Sequence, residues 1–249
     1  MTTLIEEVAD LLSRSSKTIA LTGAGISVES GIPPFRGKGG VWEKIDPMKF
    51  AHIDAFTKDP VSVWNVLIKG MKDLLDKARP NDGHKGLARL EELGILTSII
   101  TQNVDGLHQV AGNTDVIEFH GSFIRHFCSE CNRIYATTDI KMTQIPPRCD
   151  CNGILRPDIV FFGEMIPPAA LMRSQQLAET CDVMLVVGTS AFVQPAAYIP
   201  VIAKQNGAVI VEINPESTPL TNQVTDLALM GNAGETMNRV LGEIEKRIS

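Results

Sequence analysis

Among the titratable side chains, His120 occupies the position from which proton chemistry is most readily done. It follows Val116-Ile117-Glu118-Phe119, which reads as a buried strand, and precedes Gly121, which clears space beside the ring. An imidazole of ordinary pKa, ~6.5, takes up a proton near neutral pH, so His120 reads as a general base or as a satisfied core histidine. The other four histidines offer less. His84 and His108 fall at helix starts or ends, where bonding to backbone is the expected use, and His52 and His126 have no polar company.

Two further stretches carry chemistry that such a base would need. In Thr22-Gly23-Ala24-Gly25-Ile26-Ser27-Val28 the glycines let backbone N–H groups approach a pyrophosphate near a helix start, which makes a phosphate cradle. By itself Gly-x-Gly is a weak signal. The dinucleotide fingerprint wants a third small residue where this chain has Val28, and no acid-ended strand follows at the usual distance, so an ordinary dehydrogenase is disfavoured. The second stretch, Thr101-Gln102-Asn103-Val104-Asp105-Gly106-Leu107-His108, is a dense polar run leaving a buried strand. Cradle, polar strand end and histidine together describe a nucleotide held for attack by another group.

Four of the five cysteines crowd into a short segment: Cys128-x2-Cys131, seventeen residues, then Cys149-Asp150-Cys151. The spacing is that of a zinc ribbon with its second pair one residue short. A structural zinc is the leading reading, with free thiols or a disulfide as the alternatives. Four thiolates leave no open metal position, so the ion would hold the fold and take no part in catalysis.

The elements that must position these groups alternate along the chain. Leu4, Ile5, Val8, Leu11 and Leu12 fall at helical spacing, and Thr18–Thr22 reads as a short buried strand running into the glycine loop. Gly31 to Gly40 is too rich in glycine and proline for a helix and forms a long loop able to fold Phe35 and Arg36 over a ligand. Residues 42–78 read as packed helices broken at Pro47 and Pro60. A helix capped at Asn81 leads to the strand Ile95–Thr101. Beyond the cysteines come Ile159–Phe162, a helix over Ala169–Thr180 and the strand Val183–Val187 leading into Gly188-Thr189-Ser190. Then follow a helix over Ala196–Gln205, a strand over Ala208–Ile213 ending at Asn214, and a last helix from Ala233. This is the pattern of a doubly wound parallel α/β sheet, Rossmann-like, which binds ligands at the carboxyl ends of its strands. Residues 1–34, 80–123 and 158–249 are expected to build the large domain. Residues 35–79 form a loop and helical module, and 124–157 a small zinc-ribbon domain.

With 249 residues and 44% apolar content the chain can bury a large core, and its net charge of −6, without a basic run, lacks the footprint of a nucleic-acid binder. The acidic segment Met1–Val8 is unlike a signal peptide, and no apolar run reaches the ~20 residues of a membrane span, so a soluble cytoplasmic protein is expected.

Taken in order, Gly23-Ala24-Gly25-Ile26-Ser27, Gly31-Ile32-Pro33-Pro34-Phe35-Arg36-Gly37, Thr101 to His108, His120-Gly121, the paired cysteines, Phe161-Phe162-Gly163-Glu164, Gly188-Thr189-Ser190 and Asn214 resemble the sirtuin family over nearly the whole chain. The resemblance implies an NAD-dependent protein-lysine deacylase, with NAD and an acyl-lysine peptide meeting in a cleft between the two domains. Gly23, Ala24, Gly25, Ser27 and Val28 with Gly188, Thr189 and Ser190 would hold phosphates and riboses, and Asn214 and Ala233 the adenosine. Phe35, with Arg36 beside it, would shield the nicotinamide pocket. Val104 and Asp105 would hold the carboxamide, Gln102 and Asn103 the ribose and a water, and His120 would take a proton from that ribose. Val160, Phe162, Gly163 and Val193 would pair with the peptide. Two departures stand out: Pro34 replaces the usual acid, and the Cys149/Cys151 pair is short. Mono-ADP-ribosyl transfer, or a silent NAD sensor, is the alternative.

Relatives that remove acidic acyl groups carry a Tyr and an Arg one helical turn apart, at positions that counting from Trp64 places at Leu67 and Gly70. The acyl pocket is therefore expected to be lined by Leu67 and Gly70, with Lys69 pointing away.

Overall fold

The computed structural model describes residues 3–37 and 39–248. Met1 and Thr2, which open the acidic N-terminal segment, Lys38 of the glycine-proline loop, and Ser249 lie outside the described residues. The strands are β1 (Thr18–Thr22), β2 (Leu96–Thr101), β3 (Val116–Glu118), β4 (Gly121–Cys128), β5 (Ile134–Ala136), β6 (Leu155–Ile159), β7 (Val183–Val187), β8 (Val209–Asn214) and β9 (Leu227–Met230). Six of them form one sheet in the order β3-β2-β1-β7-β8-β9, parallel throughout, and β5-β4-β6 form a second, antiparallel sheet.

The large sheet is apolar on both faces because helices cover both. In β1, Ala20 packs beneath α1 (Leu4–Arg14), whereas its neighbours Ile19 and Leu21 point into the opposite core. That period of two repeats in β7, where Leu185 and Val187 face one way and Met184 and Val186 the other. After α1 the helices run α2 (Val41–Lys44), α3 (Pro47–Phe50), α4 (Ile53–Lys58), α5 (Pro60–Val63) and α6 (Lys69–Leu75), then α7 (Asp82–Glu92) and α8 (Leu107–Ala111). The last three are α9 (Pro168–Thr180), α10 (Ile199–Gln205) and α11 (Ala233–Ile248). Helices α1, α7 and α11 cover one face, and α9 and α10 the other.

Four features differ from the sequence reading. Strand β9 was not expected; it is only four residues long and half exposed, so its apolar signal is weak. Strand β6 ends at Ile159, the first residue of the expected run Ile159–Phe162, leaving Val160 to Phe162 as a loop at the cleft. The glycine loop is itself helical from Ala24: Ala24–Ser30 form a seven-residue 3-10 helix, closed by Gly31 at φ 85°. Finally, the helical segment and the cysteine segment share a core: Trp64, Leu67, Ile68 and Met71 pack with Phe123 of β4 and Phe161, and the Trp64 indole donates to the Leu155 carbonyl.

Candidate functional site

The carboxyl ends of β1, β2, β7 and β8, with the turn after β3, converge on a cleft of about 1280 Å³ between the large sheet and the smaller body. Its wall includes Gly23, Ala24, Gly25, Val28, Phe35, Arg36, Gln102, Asn103, Val104, His120, Gly188, Thr189, Ser190, Asn214 and Ala233. It also includes Val160, Phe162, Gly163 and Val193. Residues nearly two hundred positions apart therefore meet where an open α/β sheet binds ligands.

The glycine loop lies hard against the end of β7. A Cβ on Gly25 would stand 2.6 Å from the Gly188 carbonyl oxygen, and Gly188 itself holds φ 61° with Ile26 N 2.3 Å from where its own Cβ would be. The Gly25 N–H donates to the Gly188 carbonyl at 2.7 Å. Only glycine fits so close a crossing, and the resulting cradle, at the head of a helical turn, suits the diphosphate of a dinucleotide.

His120 sits in the turn between β3 and β4. Its Nδ1 is 3.1 Å from the Gln102 carbonyl oxygen, which can only accept, so Nδ1 carries the hydrogen and the neutral ring keeps its lone pair on Nε2. Burial lowers the His120 pKa below 6.5, against the opposing pull of that carbonyl bond, so the ring is neutral and basic at pH 7. Gly121 serves its backbone: it holds φ 76°, and a Cβ there would lie 2.1 Å from the Asp158 carbonyl oxygen in β6. The glycine thus makes room for a strand.

Behind the wall lies a polar layer. The Asn103 amide donates to the Gly23 carbonyl and to Ser27 Oγ, both at 3.1 Å, and the Ser27 hydroxyl donates to Asp105 Oδ2 at 2.7 Å. With its N–H groups so engaged, Asn103 keeps Oδ1 as an acceptor for a water or a ribose hydroxyl. Ser27 and Asp105 do not line the cleft, contrary to expectation; both are drawn into this support, and burial raises the Asp105 pKa. Gln102 Nε2 donates to Thr189 Oγ1 at 3.0 Å, and Asn214 Nδ2 donates to the Thr189 carbonyl at 3.2 Å, tying three strand ends together.

The other histidines are better partnered than their sequence neighbours promised. His84 Nδ1 accepts from the Asn81 N–H within a capping box, as foreseen, while its Nε2 lies 3.4 Å from Ser27 Oγ. His108 meets the Thr22 hydroxyl at 2.9 Å, not backbone, and the two rings are 5.0 Å apart. His126 meets Thr137 Oγ1 at 2.9 Å, and His52 Nδ1 accepts from the Asp54 N–H at 3.2 Å, so both have polar company after all. The fold alone supplies Ser27 to His84, Thr22 to His108 and Thr137 to His126.

At its apolar end the cleft is lined by Ala51, Leu67, Ile68, Met71 and Phe123. Gly70 is absent from the wall, correcting the expected Leu67/Gly70 pair. Trp64–Ile68 is a π-helical turn, and Ile68 and Met71 join Leu67 on the wall. Lys69 is exposed, as expected.

Away from the cleft wall, the sulfurs of Cys128, Cys131, Cys149 and Cys151 all lie within 4.8 Å of one another, with pairs at 3.5 and 3.6 Å. A tetrahedral zinc with Zn–S of ~2.3 Å needs sulfurs ~3.8 Å apart, so the set fits that ion. The short second knuckle works because each pair is closed by the residue after it: Asn132 N bonds the Cys128 carbonyl and Asn152 N the Cys149 carbonyl. Both asparagines lie in the left-handed region that asparagine tolerates.

The Sir2 family model matches residues 23–195. "NAD-dependent protein deacylase 2" of Pyrobaculum aerophilum is 47% identical over 97% of this chain and 96% of its own length. "NAD-dependent protein deacylase 1" of Archaeoglobus fulgidus is 45% identical over 98% and 99%. Among solved structures, a Sir2 homologue mutant in complex with ADP-ribose superposes with a TM-score of 0.93 at 44% identity, covering 98% of this chain and 97% of that one. A Sir2 homologue–NAD complex gives 0.91 at 44% identity, covering 98% and 95%.

Proposed function

The chain belongs to the Sir2 family, the sirtuins, and we propose that its cleft removes acyl groups from protein lysines in an NAD-dependent reaction in which His120 is the general base. The reading is carried by one observation. In a cleft floored by a glycine cradle, the His120 ring is held by the Gln102 carbonyl in the tautomer that leaves Nε2 unprotonated.

NAD, when bound, supplies a nicotinamide–ribose bond that breaks to release nicotinamide, leaving the ribose as acceptor of the acyl group in an O-acyl-ADP-ribose. This chain's residues bind, orient and deprotonate. Gly23 to Gly25 and Gly188 to Ser190 cradle the diphosphate, and Asn214 and Ala233 flank the adenosine. Phe35, stacked on Trp42 at 5.3 Å, would wall the nicotinamide side, with Arg36 and Val104 also on the cleft wall. Gln102 and Asn103 order the ribose and a water. Ser27 and Asp105 act from behind, by fixing Asn103 and the loop. His120 Nε2 accepts the ribose hydroxyl proton. Such positioning of weak nucleophiles supplies much of the rate enhancement.

The acyl-lysine segment is read as an added strand against Val160 to Gly163 on one side and Val193 on the other, which leads an extended peptide over the apolar end of the cleft. A Sir2 variant has been solved with a deacetylated p53 peptide and 3′-O-acetyl ADP-ribose, at a TM-score of 0.88 to this chain. That end is suited to acetyl and longer apolar acyl groups. The four cysteines would hold a structural zinc in the small domain. Among the described residues no helix is long and apolar enough to cross a membrane, and a cytoplasmic setting suits an NAD-consuming reaction. The test is nicotinamide release with and without an acylated peptide: strict dependence on the acyl group is expected. Release that is independent of it, with labelling of a protein acceptor, would favour ADP-ribosyl transfer.

A further inference from the structure

Arg156 lies outside the cleft wall, yet it is the most deeply buried cation among the described residues, with 8% of its side chain exposed. It leaves β6 and enters a cage of three rings, its guanidinium carbon 4.6 Å from the centroid of Phe161, 5.1 Å from Phe127 and 5.5 Å from Phe56. From there it forks onto both oxygens of Glu164 at 2.7 Å and donates to the Ile159 carbonyl at 2.9 Å. Glu164 Oε2 in turn accepts the Phe161 N–H at 2.8 Å. One guanidinium therefore closes residues 159–164 into a ring, and the outer side of that ring carries Val160, Phe162 and Gly163.

We infer that Arg156 is a positioning residue for the acyl-peptide: through Glu164 it holds residues 160–163 in the register on which the substrate strand pairs. The inference rests on the reading that the peptide lies along that edge. A buried ion pair is no more stabilising than apolar residues of similar volume, so general stability does not explain keeping a charge pair here. The planar fork, by contrast, fixes direction as well as distance, and the ring faces hold its plane. The loop is also wired to the chemistry, since Val160 N donates to the His120 carbonyl at 3.0 Å, and to the helical body, since Phe162 N donates to the Ala51 carbonyl at 2.8 Å. A slipped ring would misplace the peptide while leaving the dinucleotide cradle, built on other strands, untouched.

Three variants test this, each read by KM for an acetylated peptide, Kd for ADP-ribose and melting temperature. Arg156→Lys keeps the charge and loses the fork; it should raise peptide KM about tenfold with ADP-ribose Kd unchanged and kcat within about threefold. The double variant Arg156→Met/Glu164→Leu should melt at or above the wild-type temperature yet still show the raised KM. A merely structural role would restore KM along with stability. Wild-type peptide KM in the stable double variant, or equal weakening of ADP-ribose and peptide in Arg156→Lys, overturns the assignment. Gly163→Ala, whose Cβ would meet His52 Nε2 at 2.7 Å, separates the two readings. If it leaves peptide KM unchanged, the edge itself is wrongly placed; if it alone raises KM, the edge stands and the role of Arg156 falls.

Discussion

At the scale of single residues, the proposed reaction rests on the state of one imidazole. The Gln102 carbonyl fixes the hydrogen on His120 Nδ1, and burial keeps the ring neutral below its ordinary pKa, so the base is ready without a carboxylate partner. Replacing it with alanine should lower turnover by about 10² or more while ADP-ribose binding persists, because the cradle does not depend on the ring. Isothermal titration beside a deacylation assay reads both quantities. The pH profile follows from the same shift. Since the base acts only when neutral and burial moves its pKa down from 6.5, kcat/KM should rise with pH and level off at a shoulder below 6.5. A shoulder above that value would mean that another group carries the proton.

At the scale of elements, the helical face from Trp64 to Met71 sets the character of the proposed acyl pocket. Leu67, Ile68 and Met71 lie on the wall and Lys69 in solvent, so no charged side chain stands among the apolar residues there. A succinyl or malonyl carboxylate would have to enter without a partner, at a cost of several kcal/mol. On one peptide sequence, kcat/KM for succinyl-lysine should therefore fall about 10²-fold or more below that for acetyl-lysine. Comparable rates would show that the acyl group does not occupy the Leu67–Met71 end. The β3–β4 turn is the other decisive element: a glycine that admits the Asp158 carbonyl lets the large sheet pass directly into the small one with His120 at the junction.

For the whole molecule, stability depends on buried groups that do not line the cleft. His84, His108 and His126 are buried neutral, and burial pushes them down from 6.5 to about 4, about 3 and about 4. Their unfolded-state pKa is higher than the folded one, so the unfolded chain binds more protons below pH 6.5. Stability that is fully present above 6.5 is lost as pH falls toward 4. The melting temperature should decline across that window, and a His84→Asn/His126→Gln chain should decline less. The small body depends in addition on its metal. One zinc per chain should be found by elemental analysis, and a strong chelator should lower the melting temperature, since binding free energy is folding free energy. Unchanged melting in a metal-free chain would reduce the four cysteines to ordinary thiols.

Much of this was legible in the sequence because the signals are local. Apolar runs bounded by glycines or polar clusters mark buried parallel strands, and β1 and β7 have the expected bounds because burial on both faces leaves no alternation to blur them. The glycine loop, the polar run after β2, His120 and the cysteine knuckles are likewise contiguous motifs, each with its own chemical requirement. Only the tertiary structure could decide what depends on residues far apart in the chain. It drew Ser27 and Asp105 behind the wall because Asn103, seventy-six positions from Ser27, needed their support. It set Met71, and not Gly70, on the cleft wall, and it gave Gly121 its purpose from a carbonyl in β6. It also brought Arg156 beneath the loop of residues 159–164. Periodicity reports which face of an element is buried, while the partner waiting on that face is set by packing between elements that the chain order keeps apart.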